Sequence, residues 1–219
     1  MTFTGKVGVT YDLGAAVIEP NVRGSSGYGK TYLSLDNGFR REDSVRDIGA
    51  LLDWIATRED LDEDRVAVFG GSYGGYMVLA ALAFEPEEFT CGVDIFGVAN
   101  WLLTLENIPP YWESFRLALY AEIGHPVEDA EFLRATSAVF HGDKITKPLM
   151  ILQGANDPRV PKSESDAIVE ALKARDIDVP YMVKENEGHG FRNEENRFDF
   201  YRAMERFLGK HLGGRIEQK

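Results

Sequence analysis

The chain is short of several things that narrow what it can be. It has one cysteine, Cys91, only four histidines, and fewer Lys and Arg (24) than Asp and Glu (36). A lone cysteine excludes an internal disulfide and a thiolate zinc cage, and it fits a reducing compartment with a packing role for the side chain. The aliphatic runs, about four residues at most, fall far short of a membrane span, and Met1 to Leu13 lacks the apolar core of a signal peptide. A cytoplasmic protein that does not work at a membrane is therefore expected. The formal charge of -12 is a poor match to a phosphate backbone, so nucleic acid is not an expected partner.

What is present is a globular composition. Apolar residues make up 44% of the 219, with 13 Phe, 9 Tyr and 3 Trp, enough to bury a sizeable core and too many for a disordered chain. No composition break, repeat or Gly/Ser linker divides the chain, and residues 1–219 read as a single domain.

Short apolar runs bounded by turn residues recur at Ala15 to Ile18, Val66 to Phe69, Val93 to Phe96, Leu149 to Leu152 and Val179 to Val183, and these are the expected strands. Between them lie helical spacings. Val45, Ile48, Leu51, Leu52 and Ile55 repeat at three and four, with Asp43 or Ser44 available as a cap; Ile168 and Leu172, then Phe198, Tyr201, Met204 and Leu208, repeat the pattern. Alternation of strand and helix calls for an α/β fold, a mostly parallel sheet with helices on both faces. Pro180 cannot donate to a ladder, so the last strand should be an edge or begin just after it. Residues 99–136, rich in aromatics and containing Pro109, Pro110 and Pro126, read as a helical insertion over the sheet and its active site.

The chemistry starts after the second of these runs. Gly70, Gly71, Ser72, Tyr73, Gly74, Gly75 and Tyr76 stand between a strand and the helical run beginning at Met77, which makes the GxSxG a nucleophile elbow in its proper context. The sharp turn lifts a serine above the sheet, the glycines avoid collisions a Cβ would cause, and the helix start favours an oxyanion. A nucleophilic serine needs a base, and the base needs an acid to fix its tautomer. The order expected for an alpha/beta-hydrolase elbow is Ser, acid, His. Asp157 follows the strand at Leu149 to Leu152, and His189 follows the last strand, so both fall on loops at the same sheet edge as Ser72. Asp94 lies inside a strand and is the weaker candidate for the acid. His125, His141 and His211 show no metal-ligand spacing and read as surface residues.

The segments EPNVRGSSGYG, GGSYGGY, QGANDPRVP and EGHGF together resemble the catalytic domain of the prolyl oligopeptidase family of serine peptidases, with the nearest look to its acylaminoacyl-peptidase-like bacterial members. The resemblance runs from about Ala15 to Leu212. It implies an alpha/beta-hydrolase fold, Ser72 as nucleophile, Asp157 as acid, His189 as base, the Tyr73 backbone N-H as oxyanion donor, and neither metal nor cofactor. It also implies a hydrophobic pocket, for which Trp101, Tyr111, Trp112 and Phe115 are the candidates. Two departures are expected. There is no β-propeller, and the chain begins just after the strand that carries the family's second oxyanion donor, an N-terminal truncation.

The leading expectation is a serine hydrolase that cleaves peptide, acyl-amino-acid or ester bonds of small substrates through an acyl-enzyme. A short-chain esterase is a variant of it, because esters tolerate a weaker oxyanion hole. The alternative is a truncated, weakly active or inactive domain with a binding or assembly role. Closure of the gap left by the missing strand is expected from Lys6 to Tyr11 turned into a strand, together with a homodimer.

Overall fold

Four of the five expected apolar runs form strands, and they lie side by side in chain order. The computed structural model describes residues 13–216. Strand β1 (Ala67–Gly71) pairs with β2 (Cys91–Ile95), β2 with β3 (Leu149–Gly154) and β3 with β4 (Tyr181–Lys184), every pair parallel. Each connection therefore crosses over through helices. These are α1 (Arg41–Ala56) before β1, α2 (Tyr73–Phe84) between β1 and β2, then α3 (Trp101–Glu106), α4 (Arg116–Ile123) and α5 (Ala130–Thr136) between β2 and β3, α6 (Lys162–Lys173) before β4, and α7 (Glu194–Leu212) after it. Residues 99–136 are largely helical.

Alternation along the strands sorts the core into two layers. Leu149 and Ile151 of β3 share one apolar cluster with α1, α2 and α6; Val93, Ile95, Met150 and Leu152 share the other with Phe200, Met204, Phe207 and Leu208 of α7. Helix α2 is buried from Gly75 to Ala83, which is why its sequence is apolar all round rather than on one stripe.

The differences from expectation have local causes. Residues 15–18 form no strand: Val17 and Ile18 are exposed, and among the described residues no strand lies beside them to supply a ladder. Lys6 to Tyr11, expected to close the sheet there, lie outside the described residues. Helix α1 starts at Arg41 rather than after Asp43 or Ser44, because a 3-10 turn at Gly38–Arg40 leads straight into it. Asp43 instead pairs with Arg46 at 2.7 Å, and the Ser44 hydroxyl donates to the Arg41 carbonyl at 2.8 Å. On α7 Met204 and Leu208 face inward as the spacing predicts, joined by Phe200 and Phe207, while Phe198 points to solvent. Strand β4 begins immediately after Pro180 and is an edge, and the Pro180 carbonyl accepts from the Ile151 N-H at 2.9 Å.

Candidate active site

Three loops at the carboxyl ends of β1, β3 and β4 bring Ser72, Asp157 and His189 together. Ser72 stands between β1 and α2 with φ of 57° and ψ of -119°, a conformation that costs a non-glycine residue about 1 to 3 kcal/mol and persists only when its surroundings hold it. Its own N-H donates to the Ile95 carbonyl at 2.9 Å, and its carbonyl accepts from the Gly75 and Tyr76 N-H groups that open the helix. The glycines serve as the motif suggests at two positions. A Cβ on Gly70 would strike the Gly74 carbonyl, and one on Gly75 would strike Asp94 and the Gly97 backbone; at Gly74 nothing lies within 4 Å.

Asp157 is held by its own loop. Its Oδ1 accepts from the Arg159 and Val160 N-H groups at 2.8 and 3.0 Å, which leaves Oδ2 to accept from His189 Nδ1 at 2.7 Å. An ionised carboxylate only accepts, so Nδ1 carries the proton, and Nε2 presents its lone pair to the Ser72 hydroxyl, 2.9 Å away. The Asp157 side chain is fully buried, and the His189 side chain is 10% exposed. The charge of the acid is therefore spent on the imidazole and the loop, not on water. Helix α2 starts at Tyr73, so the Tyr73 and Gly74 N-H groups have no acceptor within the helix and face the turn that carries Ser72.

The histidine loop is stitched to its neighbours. The Asn156 N-H donates to the Glu187 carbonyl at 2.9 Å. Glu187, 3% exposed, accepts four bonds, from the Arg192 and Asn193 N-H groups and the Asn193 and Asn196 amides, at 2.8 to 3.0 Å. Burial pushes its carboxyl up, and these donors more than offset that, leaving it below its ordinary value. The Phe96 ring lies 4.7 Å from the His189 ring. Neither Glu187 nor Phe96 is signalled as a site residue by spacing; each reads locally as a turn acid and a strand end.

The four aromatics expected to line a pocket separate. Trp101 is 3% exposed and packs edge-on against Tyr76 at 4.8 Å, so it belongs to the core: the indole opens α3 facing α2. Tyr111 and Phe115 are exposed, on the 3-10 turn Pro110–Phe115. Trp112 lies under the Arg159 guanidinium, 5.1 Å from its centre, next to the loop of Asp157. Asp94 is buried in β2 away from His189's hydrogen bonds, which go to Asp157 and Ser72.

The model of the prolyl oligopeptidase family matches residues 1–215. The chain is 44% identical over 206 residues to dipeptidyl aminopeptidase BIII of Pseudoxanthomonas mexicana, covering 93% of this chain and 30% of that protein. It is 41% identical over 207 residues to dipeptidyl peptidase family member 6 of Caenorhabditis elegans, covering 93% and 28% respectively. Among solved structures it superposes on a puromycin hydrolase with a TM-score of 0.83 at 27% identity, over 90% of this chain and 30% of the other, which gives it the alpha/beta-hydrolase fold. The chain thus spans about 30% of the length of these relatives. On the match across nearly its whole length, the chain belongs to the prolyl oligopeptidase family.

Proposed function

We propose that this chain is a serine hydrolase domain that cleaves peptide, acyl-amino-acid or ester bonds through an acyl-enzyme. The observation that carries the reading is the unbroken line of hydrogen bonds from Asp157 through His189 to Ser72. In the first half-reaction Ser72 Oγ bonds to the acyl carbon while its proton moves to His189 Nε2. The same proton then passes to the departing amine or alkoxide as the acyl-to-leaving-group bond breaks. Water repeats the sequence on the ester formed, giving its proton to His189 and freeing Ser72. Asp157 keeps its charge throughout and stabilises the imidazolium. The Tyr73 N-H, at the positive end of α2, is placed to receive the negative oxygen of the tetrahedral species.

The relatives' names, an aminopeptidase and a puromycin hydrolase, favour substrates with an amide bond to an amino acid. Trp112 beside the acid loop, with Tyr111 and Phe115 on the same turn, favours an apolar group next to the scissile bond. A fluorophosphonate probe is expected to label Ser72, and Ser72→Ala is expected to abolish both labelling and nitrophenyl-ester hydrolysis while keeping the parent's melting temperature. A parent chain that takes no label would remove the covalent mechanism and favour a binding or assembly role.

A further inference from the structure

A second polar cluster lies behind the elbow and takes no part in the proton relay. Arg41, the first residue of α1, is 2% exposed, among the largest fully buried side chains in the protein. Its guanidinium donates to Asp36 Oδ2 at 2.8 Å, to the Tyr73 hydroxyl at 2.9 Å and to the Glu122 carbonyl at the end of α4. The Glu122 carboxylate lies farther off at 3.9 Å, and Ser44 also faces the Tyr73 hydroxyl. Asp36 is itself 5% exposed. Taking a charge out of water is expensive, and a buried ion pair is weak evidence of stability by itself, since apolar residues of similar size often do as well. What an arginine adds is a rigid fork of donors that can reach acceptors on separate elements, which a lysine cannot reproduce.

The acceptor on α2 is the residue directly after the strained serine. Ser72 holds a positive φ only because its neighbours fix it. On its amino side the anchor is the bond from its N-H to Ile95. On its carboxyl side the next side chain is Tyr73, whose ring lies 5.5 Å from Tyr76 and 6.2 Å from Trp101, and whose hydroxyl is tied to Arg41. We infer that Arg41 is a positioning residue: by holding the Tyr73 hydroxyl from a support built by Asp36 and the end of α4, it fixes the Ser72–Tyr73 peptide and so the oxyanion donor that peptide carries. This rests on the reading of Ser72 as nucleophile. It also makes the helical segment between β2 and β3 part of the elbow's frame, since Glu122 is one of the two supports that hold the Arg41 guanidinium.

Tyr73→Phe is the cleanest test because it removes the tethered oxygen and leaves the ring and the Arg41 bonds to Asp36 and Glu122. Misplacing a reacting group by about 1 Å can cost on the order of a hundredfold, and loss of one tether is expected to cost about tenfold. The expected result is about a tenfold fall in the rate constant for fluorophosphonate labelling of Ser72 and in kcat for a nitrophenyl ester, with KM within about twofold of the parent and an unchanged melting temperature. Arg41→Lys, which keeps the charge and loses the fork, should match it, and the double variant should be no worse than either alone, because both act through one bond. Parent-like labelling and kcat in Tyr73→Phe would overturn the inference while leaving the nucleophile in place; should Arg41→Lys not fold, this comparison decides by itself. A double variant whose losses multiply would equally overturn it, since Arg41 would then act elsewhere. No label on the parent's Ser72 would remove the reading of the nucleophile, and this inference with it.

Discussion

Buried carboxylates in this protein differ in the donors that meet them and in how burial acts on them. Asp157 accepts three hydrogen bonds and Glu187 four, so their charges are matched where they stand. Asp94, 1% exposed in the middle of β2, has only the Gly97 N-H leaning toward it, and neither oxygen completes a hydrogen bond. Burial, with the Glu164 charge nearby, pushes its carboxyl up to about 7. Glu164, also raised to about 7 by burial, keeps bonds from the Ala99 and Asn100 N-H groups and the Thr104 hydroxyl. For a carboxyl raised in the folded state, the folded chain binds more protons than the unfolded one between the two values. Its contribution is full below about pH 4 and is lost as the pH rises through about 7. Asp94→Asn removes that loss. In denaturant melts it should gain on the parent as the pH rises from about 4, levelling off above about 7 at an advantage of about 1 to 4 kcal/mol. Parallel stability curves for the two proteins would show that folding does not raise the Asp94 carboxyl.

At the scale of elements, the elbow depends on how closely α2 approaches β2. Gly75 touches the Asp94 side chain and the Gly97 backbone with no room for a methyl group, whereas Gly74, one residue earlier on the same helix, faces open space. Gly75→Ala is expected to cost about 3 kcal/mol through overpacking and to lose probe labelling as the elbow shifts. Gly74→Ala should be neutral or stabilising by up to about 1 kcal/mol, as alanine is in a helix. Equal melting temperatures for the two would mean that the strand-helix contact has slack. This contact also shows where the sequence is readable and where it is not. The strands β1 to β4 and the loops bearing Ser72, Asp157 and His189 are legible because each follows from a short apolar run and the residues directly after it. Arg41 and Phe96 are not, because their roles come from approaches between segments far apart in the chain: Arg41 reaches Glu122, 81 positions away, and the Phe96 ring meets that of His189. Glu187 is not either, because its donors come from the next turn of its own loop and leave no pattern in the spacing. Trp101 reads as pocket in the sequence and is core in the structure, because helical aromatic spacing is the same whether the ring faces solvent or core. Residues 15–18 have strand chemistry, and a strand also needs a neighbour.

Among the described residues, the order of the sheet is the order of the chain, and no two adjacent strands are joined by a hairpin. Every pairing waits for a crossover to close, which makes such sheets slow to assemble. His189 lies 117 positions from Ser72 and 32 from Asp157, and each of the three stands after a different strand. Helical signal in refolding experiments is therefore expected to return before fluorophosphonate labelling does, and simultaneous recovery of the two would argue for a single concerted step. The same arrangement sets a timetable during synthesis. The turn holding Ser72 can form once β2 has been made, yet its hydroxyl meets no base until the loop after β4 has docked. If Ser72 acts as proposed, a half-made chain carries its nucleophile in position but unarmed until the loop after β4 docks, which guards neighbouring chains from it in the meantime.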